Sequence, residues 1–257
     1  MSQGLTLTLL HGWGVDARVW QPLQPHWPEG VGVAAPNWPG YESHPALADP
    51  AELSTTADLS ASADIAATAS AMAASLPQNS VWVGWSLGGL LAVAMTDHLP
   101  PPQGIILLGA GAQFCSPNGV TPQALAEFTS AFQRSPSAAW RHFLRWQSSG
   151  EPEPRTALKR LHALLGKTPP ADTPTLAAGL GFLETLDNRE RLQTLPCPVA
   201  TLAGENDPFL NQPPAGETTA GEQMAQAGHC PMVSQPAALV DALCRIAAEM
   251  TQPGEAS

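Results

Sequence analysis

An apolar run that turns directly into a helix constrains the fold more than any other feature of this sequence. The run at 81–85 ends in the segment Gly84-Trp85-Ser86-Leu87-Gly88. A strand that turns this sharply into a helix leaves no room for side chains two positions before and two positions after its apex, and both positions are glycine here. The pattern predicts a nucleophile elbow with Ser86 at the apex. The alternative interpretation is an ordinary glycine-rich turn with an unremarkable serine.

Short apolar runs alternate with helical patterns on both sides of this turn. Strands are predicted at 5–10, 31–35, 81–85, 104–108, 198–203 and 222–225, and helices at 16–23, 57–76, 87–99 and 236–250. This alternation is typical of a parallel sheet with helices on both faces. Between about 112 and 189 the strands stop, and helical patterns occur at 138–147, 155–165 and 176–186. We therefore predict an α/β core, residues 1–111 and 190–257, interrupted by a helical insertion at 112–189.

A serine hydroxyl becomes a good nucleophile only when a base takes its proton and an acid orients that base. Of the seven histidines, His229 is preferred because its loop precedes the closing helix. Asp207 follows the fifth predicted strand, so its carboxylate is expected at the same edge of the sheet as Ser86. Glu205 and Asp187 are the alternative acids; the first is more simply a solvated loop charge, and the second lies close to the insertion. Serine, aspartate and histidine then follow one of the chain orders in which a triad occurs.

Two backbone groups are candidates for an oxyanion hole. An ester carbonyl under attack develops negative charge and is stabilised by hydrogen-bond donors already aimed at its oxygen. The N–H of Leu87, at the start of the elbow helix, is predicted to be one donor. The N–H of Trp13 is predicted to be the other, because the adjacent Gly12 has no side chain to keep the backbone away. An ordinary glycine turn at 11–14 is the alternative.

Composition argues against several classes of function. Lys and Arg number 11 against 22 Asp and Glu, and a net charge of −11 repels polyanions, so nucleic acid is not an expected partner. Four cysteines lie far apart without metal-type spacing, and neither disulfides nor a metal or organic cofactor is predicted. No signal-like segment is found, and no apolar run approaches the roughly 18 residues of a membrane span. We expect a cytoplasmic monomer.

The charge is unevenly distributed along the chain. Seven of the 11 basic residues fall between 134 and 167, against only two acidic residues, which gives this segment a local charge of +5. On helical spacing, Arg141 with Arg145 and Arg155 with Lys159 place like charges on one face, at a cost of a few tenths of a kcal/mol. The segment is either a solvated helix surface that happens to be basic or a face that docks an acidic partner protein.

Taken together, these motifs resemble the α/β-hydrolase superfamily, and among its families the carboxylesterases of biotin synthesis that act on the methyl ester of pimeloyl-acyl-carrier protein. The resemblance is carried by residues 9–14, 84–90, 141–147, 179–183 and 227–231, together with Asp187 and Arg189. It implies an α/β-hydrolase fold with a helical lid at 112–189. The first strand begins almost at Met1, so the amino-terminal strand pair common in such folds is expected to be shortened or missing.

The resemblance also implies a role for each candidate residue. Ser86, Asp207 and His229 would be the triad of a serine carboxylesterase that forms an acyl-enzyme. The implied substrate-binding residues are Trp13, Ser86, Leu87, Phe143, Leu144, Arg145, Trp146, Gln147 and His229, and the implied docking residues for the carrier protein are Arg141, Arg145, Arg155, Lys159 and Arg160. Two alternatives remain: a short-acyl esterase without carrier preference, and a non-catalytic ligand-binding protein of the same fold.

Overall fold

The computed structural model describes residues 4–41, 61–116, 119–210 and 221–252, with the backbone alone for 61–64. Six strands form one sheet in the order β2-β1-β3-β4-β5-β6, and every neighbouring pair is parallel. The strands are β1 (Thr6–Leu10), β2 (Gly32–Ala34), β3 (Val81–Trp85), β4 (Gly104–Leu108), β5 (Val199–Gly204) and β6 (Glu222–Met224). All six lie within one or two residues of their predicted bounds, and the predicted parallel α/β class is confirmed.

Nine α-helices accompany the sheet in the described part of the chain. They are α1 (Ala61–Met72), α2 (Leu87–Met95), α3 (Pro122–Arg134), α4 (Pro136–Gln147), α5 (Pro154–Leu165), α6 (Thr173–Thr185), α7 (Arg189–Thr194), α8 (Pro231–Ser234) and α9 (Pro236–Thr251). Two 3₁₀ helices span Ala17–His26 and Ala73–Ser75. Among the described helices, none combines the length and the apolar character needed to cross a bilayer.

The order of the strands creates a crevice at one edge of the sheet. From β1 the chain moves outward to β2, whereas from β3 it moves the opposite way to β4, and β1 and β3 are neighbours. The loops that follow these two strands therefore diverge at the carboxyl edge, where ligands bind in open α/β sheets. Every residue of β3, β4 and α2 is buried. The elbow thus lies between fully buried elements of the described structure.

The insertion between β4 and β5 contains more helix than the sequence analysis predicted. Five helices, α3 to α7, lie there and are called the inserted helices below. Helix α3 was not predicted, although its signals are local. Thr121 caps its first turn, and Leu125, Phe128 and Phe132 are buried on one face. This is the spacing of an amphipathic helix with a side-chain cap, and it could have been found from the sequence.

Two other helix predictions differ in type or length. The helix predicted at 16–23 is the 3₁₀ helix Ala17–His26, which contains Pro22 and Pro25. Proline has no N–H for an α-helical hydrogen bond, which favours the tighter and more irregular form. The helix predicted to end at Leu99 ends at Met95, and the hydroxyl of Thr96 donates to a carbonyl of the last turn. Residues 57–60 of the predicted helix at 57–76 lie outside the described residues.

Candidate active site

Ser86 occupies a strained turn between β3 and α2. Its backbone has φ +55° and ψ −123°, a conformation that costs a non-glycine residue about 1–3 kcal/mol and persists only where its surroundings impose it. The surroundings do so here. A β-carbon at Gly84 would lie 2.6 Å from the carbonyl oxygen of Gly88, and one at Gly88 would collide with the carbonyl oxygen of Leu10. The two glycines let the turn close and keep the serine at its apex.

An acid–base pair lies at the same edge of the sheet. Nδ1 of His229 is 2.7 Å from Oδ2 of Asp207, and because an ionised carboxylate only accepts, Nδ1 carries the proton. Oδ1 of the same aspartate accepts the N–H of Phe209 at 2.9 Å. Gly109, at φ +57°, allows this pairing, since a β-carbon there would lie 3.0 Å from His229 Nδ1. The Nε2 atom of His229 is buried and has no hydrogen-bond partner in the described part of the molecule.

The serine and the histidine are joined through neighbouring backbone. The N–H of Ser86 donates to the carbonyl of Leu108 at 3.0 Å, and the next residue, Gly109, is the one that contacts His229. The indole N–H of Trp85 also donates to the carbonyl of His229 at 2.8 Å. No hydrogen bond between the two side chains is present among the described residues, and such bonds often tighten only when substrate is bound.

The two alternative acids lie elsewhere. Oε2 of Glu205 is exposed and accepts the N–H of Gln226 at 2.8 Å. Asp187 forms an exposed ion pair with Arg189 at 2.6 Å, and the hydrogen bonds from this arginine lower the pKa of the aspartate. Of the three candidates, Asp207 is therefore the one that contacts the histidine.

The turn after β1 brings backbone close to the serine. A β-carbon at Gly12 would lie 3.1 Å from Cβ of Ser86. The backbone N–H groups of Trp13 and Leu87 form no hydrogen bond within the described residues, and both residues are buried beside the elbow. The side chain of Trp13 is engaged elsewhere, because its indole N–H donates to the carbonyl of Leu176 at 2.8 Å. Both backbone N–H groups therefore stay candidates for an oxyanion hole.

A neutral histidine, His11, stabilises the turn at 11–14 through hydrogen bonds. Nδ1 of the buried His11 donates to the carbonyl of Gly12 at 2.9 Å, while Nε2 accepts the N–H of Trp38 at 3.3 Å. This arrangement requires an uncharged ring, and burial lowers the pKa of His11 to about 4. The hydroxyl of Tyr41 accepts the N–H of Gly14 at 3.3 Å, at the other end of the turn.

Aromatic side chains close the site on the side of the inserted helices. The ring of Trp13 makes edge contacts with Phe128, Phe132 and Phe143, with centroids 4.9–5.8 Å apart. A second cluster forms around Phe209, which stacks on Phe143 at 5.4 Å. The serine and the histidine are accordingly only 4% and 1% exposed.

Phe209 is a site residue that the sequence analysis missed. Its ring meets the ring of His229 at 4.6 Å and that of Trp146 at 4.8 Å, so it connects α4 with the candidate base. A local signal was available, because a backbone N–H two residues after an aspartate is the usual donor of an Asx turn. The contact between Phe209 and His229 is long-range, and no local sequence pattern indicates it.

The five residues predicted to line the acyl pocket do not share one environment. Phe143, Leu144 and Gln147 are buried, whereas Trp146 is half-buried and Arg145 is exposed. Five consecutive helical residues span more than one turn and cannot all face the same pocket. Arg145 and Trp146 line an open depression of about 330 Å³ instead.

The basic residues predicted to dock a carrier are all exposed. They are Arg141, Arg145, Arg155, Lys159 and Arg160. Arg160 donates to the carbonyl of Val233 at 2.6 Å, and the other four form no ion pair with any described residue. The two acids of the segment behave differently, because Glu153 is exposed and Glu151 is 3% exposed. The outer surface of the segment is therefore more positive than its sequence indicates.

No cluster of three or more His, Cys, Asp or Glu side chains that could hold a metal ion is found among the described residues. The four cysteines are free thiols. Cys230, next to His229, is fully buried, and burial raises the pKa of its thiol well above the usual range. A buried thiol with a raised pKa has little thiolate character, so Cys230 is a poor candidate for a nucleophile.

Comparison with known proteins places the fold in a family. Residues 9–242 match the model of the Alpha/beta hydrolase family. The chain therefore belongs to the α/β-hydrolase family. It is 30% identical over 216 residues to a pimeloyl-[acyl-carrier protein] methyl ester esterase of Pseudoalteromonas atlantica, covering 82% of this chain and 79% of the relative. The predicted resemblance to these esterases is confirmed at this level of identity.

Two further similarities extend this result. The chain is 34% identical over 212 residues to the biotin biosynthesis bifunctional protein BioHC of Cellvibrio japonicus, covering 79% of this chain but 38% of that longer protein. A thermophilic esterase from Thermogutta terrifontis superposes with a TM-score of 0.72 at 20% identity, covering 97% of this chain and 92% of the esterase, which supports the fold alone. The curated relatives support the predicted enzyme class, a carboxylic ester hydrolase.

Proposed function

We propose that this protein is a serine carboxylesterase that hydrolyses the methyl ester of pimeloyl-acyl-carrier protein through an acyl-enzyme. The observation that carries the proposal is the 2.7 Å contact between His229 and Asp207, with Nε2 of the histidine left free beside the Ser86 elbow. The relatives named for this substrate suggest which ester is cleaved.

Each group has one chemical task in the proposed mechanism. Oγ of Ser86 attacks the ester carbonyl while Nε2 of His229 takes its proton and then passes it to the departing methanol. Asp207 holds the histidine in the required tautomer and stabilises the imidazolium. The N–H groups of Trp13 and Leu87 bind the oxyanion. Water then attacks the acyl-enzyme by the same route and releases the free acid.

In this proposal residues 112–189 act as a lid over a core of residues 1–111 and 190–257. The aromatic side chains around Trp13, Phe143 and Phe209 form an apolar wall that suits the methylene chain of a dicarboxylic acyl group. Phe143 is the predicted substrate-binding residue that contacts both of the other rings. The substrate contacts implied for Leu144, Arg145, Trp146 and Gln147 stay predictions from the resemblance, because one helix cannot turn all four towards this wall.

The exposed basic residues of the lid are proposed to bind the carrier protein. Unpaired cations on one surface attract an acidic partner and accelerate its encounter in a salt-dependent way. The four basic residues without an ion-pair partner, together with Arg160, form this proposed docking face.

The cytoplasmic location and the monomeric state remain predictions from the sequence.

A substrate panel at two salt concentrations tests the proposal. The carrier-bound pimeloyl methyl ester is compared with free methyl, ethyl and p-nitrophenyl esters. We expect the carrier-bound ester to be the best substrate and its kcat/KM to fall as salt rises, because salt screens the docking face. The free esters should show little salt dependence. Equal salt dependence for all esters would argue for a short-acyl esterase, and the absence of multiple turnovers would argue for a ligand-binding protein.

Charge variants test the docking face directly. The double substitution Arg155→Gln and Lys159→Gln should raise KM for the carrier-bound ester about tenfold and leave the free esters unchanged, since it removes two steering charges from exposed positions of α5. Arg245→Gln is the matched control, because Arg245 is exposed but lies on α9 and pairs with Glu222. A similar effect of both variants on the carrier-bound ester would contradict the proposed face.

A further inference from the structure

The turn between α4 and α5, residues 148–153, packs against both loops of the acid–base pair. A β-carbon at Gly150 would collide with the carbonyl oxygen of Asn206, the residue before the catalytic aspartate candidate. On the other side, a β-carbon at Gly228 would lie 2.6 Å from the carbonyl carbon of Gly150. The two loops are themselves joined by a hydrogen bond of 2.8 Å from the N–H of Asn206 to the carbonyl of Ala227. The α4–α5 turn thus completes a junction of three backbone segments.

Glu151 is the polar contact at this junction. Its Oε1 accepts the N–H of Cys230 at 2.6 Å, and its Oε2 is buried without a hydrogen-bond partner among the described residues. No described Lys or Arg pairs with this carboxylate. A buried acidic group without a cationic partner is costly, and a solvated side chain at this position would avoid the cost. The short hydrogen bond to Cys230 is the interaction that offsets it.

This hydrogen bond completes the fixation of one peptide group. The carbonyl oxygen of the His229–Cys230 peptide accepts the indole N–H of Trp85, and the N–H of the same peptide donates to Glu151. The peptide plane is therefore held at both ends, once by the elbow strand and once by the inserted helices. The orientation of this peptide plane determines the direction in which the side chain of His229 projects from the backbone.

We infer that Glu151 is a positioning residue for His229: it holds the peptide after the histidine so that Nε2 points at Ser86. The inference rests on the proposed function, in which the histidine is the general base. The hydrogen-bond acceptor rather than the negative charge is the feature that matters, because the bond is made to a neutral backbone N–H. Glutamine keeps that acceptor, alanine removes it, and aspartate holds a carboxylate one methylene too far away.

The test measures kcat and KM for a free methyl ester in wild type and in Glu151→Ala, Glu151→Asp and Glu151→Gln. Each preparation is titrated with an active-site phosphonate, so that kcat refers to competent sites only. We expect kcat to fall about 10- to 100-fold for the Ala and Asp variants with KM within about twofold, since small displacements of a base reduce the rate this much. The Gln variant should stay within about threefold, because its amide oxygen restores the bond to Cys230. Glu153→Ala is the matched control, an exposed acid on the same turn whose side chain bonds only Thr156 among the described residues.

The outcomes separate the inference from the proposed function. If the wild type does not hydrolyse esters, the proposed function fails. If the wild type is active and the Asp variant keeps its kcat per titrated site, or the Gln variant is as impaired as the Asp variant, Glu151 has no positioning role. A purely structural role would lower the titrated fraction and the unfolding temperature and leave kcat per site unchanged. If the Ala variant does not fold, the order of the Gln and Asp variants decides.

Discussion

The two halves of the candidate catalytic centre are held by different parts of the molecule. The nucleophile half, Ser86 with the turn at 11–14, is fixed by the sheet, by the buried helix α2 and by the neutral His11. The acid–base half, Asp207 with His229, lies in two loops that the α4–α5 turn holds from outside the sheet. Trp85 is the main link between them, since it belongs to the elbow strand and bonds the histidine carbonyl.

This difference indicates which half responds to changes in the inserted helices. The elbow keeps its shape through contacts between β1, β3 and α2, so a change in the α4–α5 turn leaves it in place. The histidine loop contacts Glu151 and lies close to Gly150, so the same change would displace the proposed general base. A variant of the inserted helices should therefore change proton transfer by the histidine while the backbone of the elbow stays in place.

The largest expected effect is the loss of the nucleophile. Ser86→Ala should reduce kcat for a methyl ester about 10⁶-fold, since neither Asp207 nor His229 can replace the serine as the nucleophile that attacks the carbonyl. The variant should also take up no phosphonate label, as measured by intact-protein mass spectrometry. Ser137→Ala, at an exposed position of α4, should behave as wild type. Substantial turnover or labelling of the Ser86 variant would show that Ser86 is not the nucleophile.

The acid–base half is expected to give a smaller but still large effect. Asp207→Asn should lower kcat about 10⁴-fold, because the amide favours the wrong tautomer of the histidine. The variant should still label slowly with phosphonate, in contrast to the Ser86 variant. Glu205→Gln is the control, two residues earlier in the same loop, and should stay within about threefold of wild type. If the two substitutions cost the same, the acid has been misassigned.

The smallest predicted effect is a pH dependence of stability that belongs to the nucleophile half. The pKa of His11 is lowered from 6.5 to about 4 in the folded chain, so the unfolded chain binds a proton between these values. The full contribution to stability is present above pH 6.5, and about 3 kcal/mol of it is lost as the pH falls through about 4.

Urea unfolding at several pH values between 7 and 4 measures this dependence. Other groups titrate in the same interval, so the comparison is made with His11→Gln, which keeps an acceptor for the N–H of Trp38. The variant should be less stable at pH 7 and should lose less of its stability on acidification. If the free energies of unfolding of the two proteins changed in parallel with pH, His11 would make no contribution to the pH dependence of stability.

The sequence predicted those parts of the site that depend on local spacing. The elbow was predicted because its glycines lie two residues from the serine, Asp207 because it follows a predicted strand, and His229 because its loop precedes the closing helix. The contact of Phe209 with His229 and that of Glu151 with Cys230 were missed because these partners lie far away along the chain. Glu151 was counted only as a charge in a basic segment, and no pattern indicates that it turns inward to Cys230. In the same way, no sequence pattern indicates that Gly150 and Gly228 allow the close approach of two loops.

The junction of Gly150, Gly204 and Gly228 has a consequence for exchanging parts between hydrolases. At each of these positions a β-carbon would meet backbone atoms of another loop, so the segments fit only as a matched set. The turn at 148–153 belongs by sequence to the inserted helices but by contact to the acid–base loops. A chimera that grafts the inserted helices of another protein onto this core should retain this turn from the host. A graft that replaces this turn would lack the surface against which the loops of Asp207 and His229 pack.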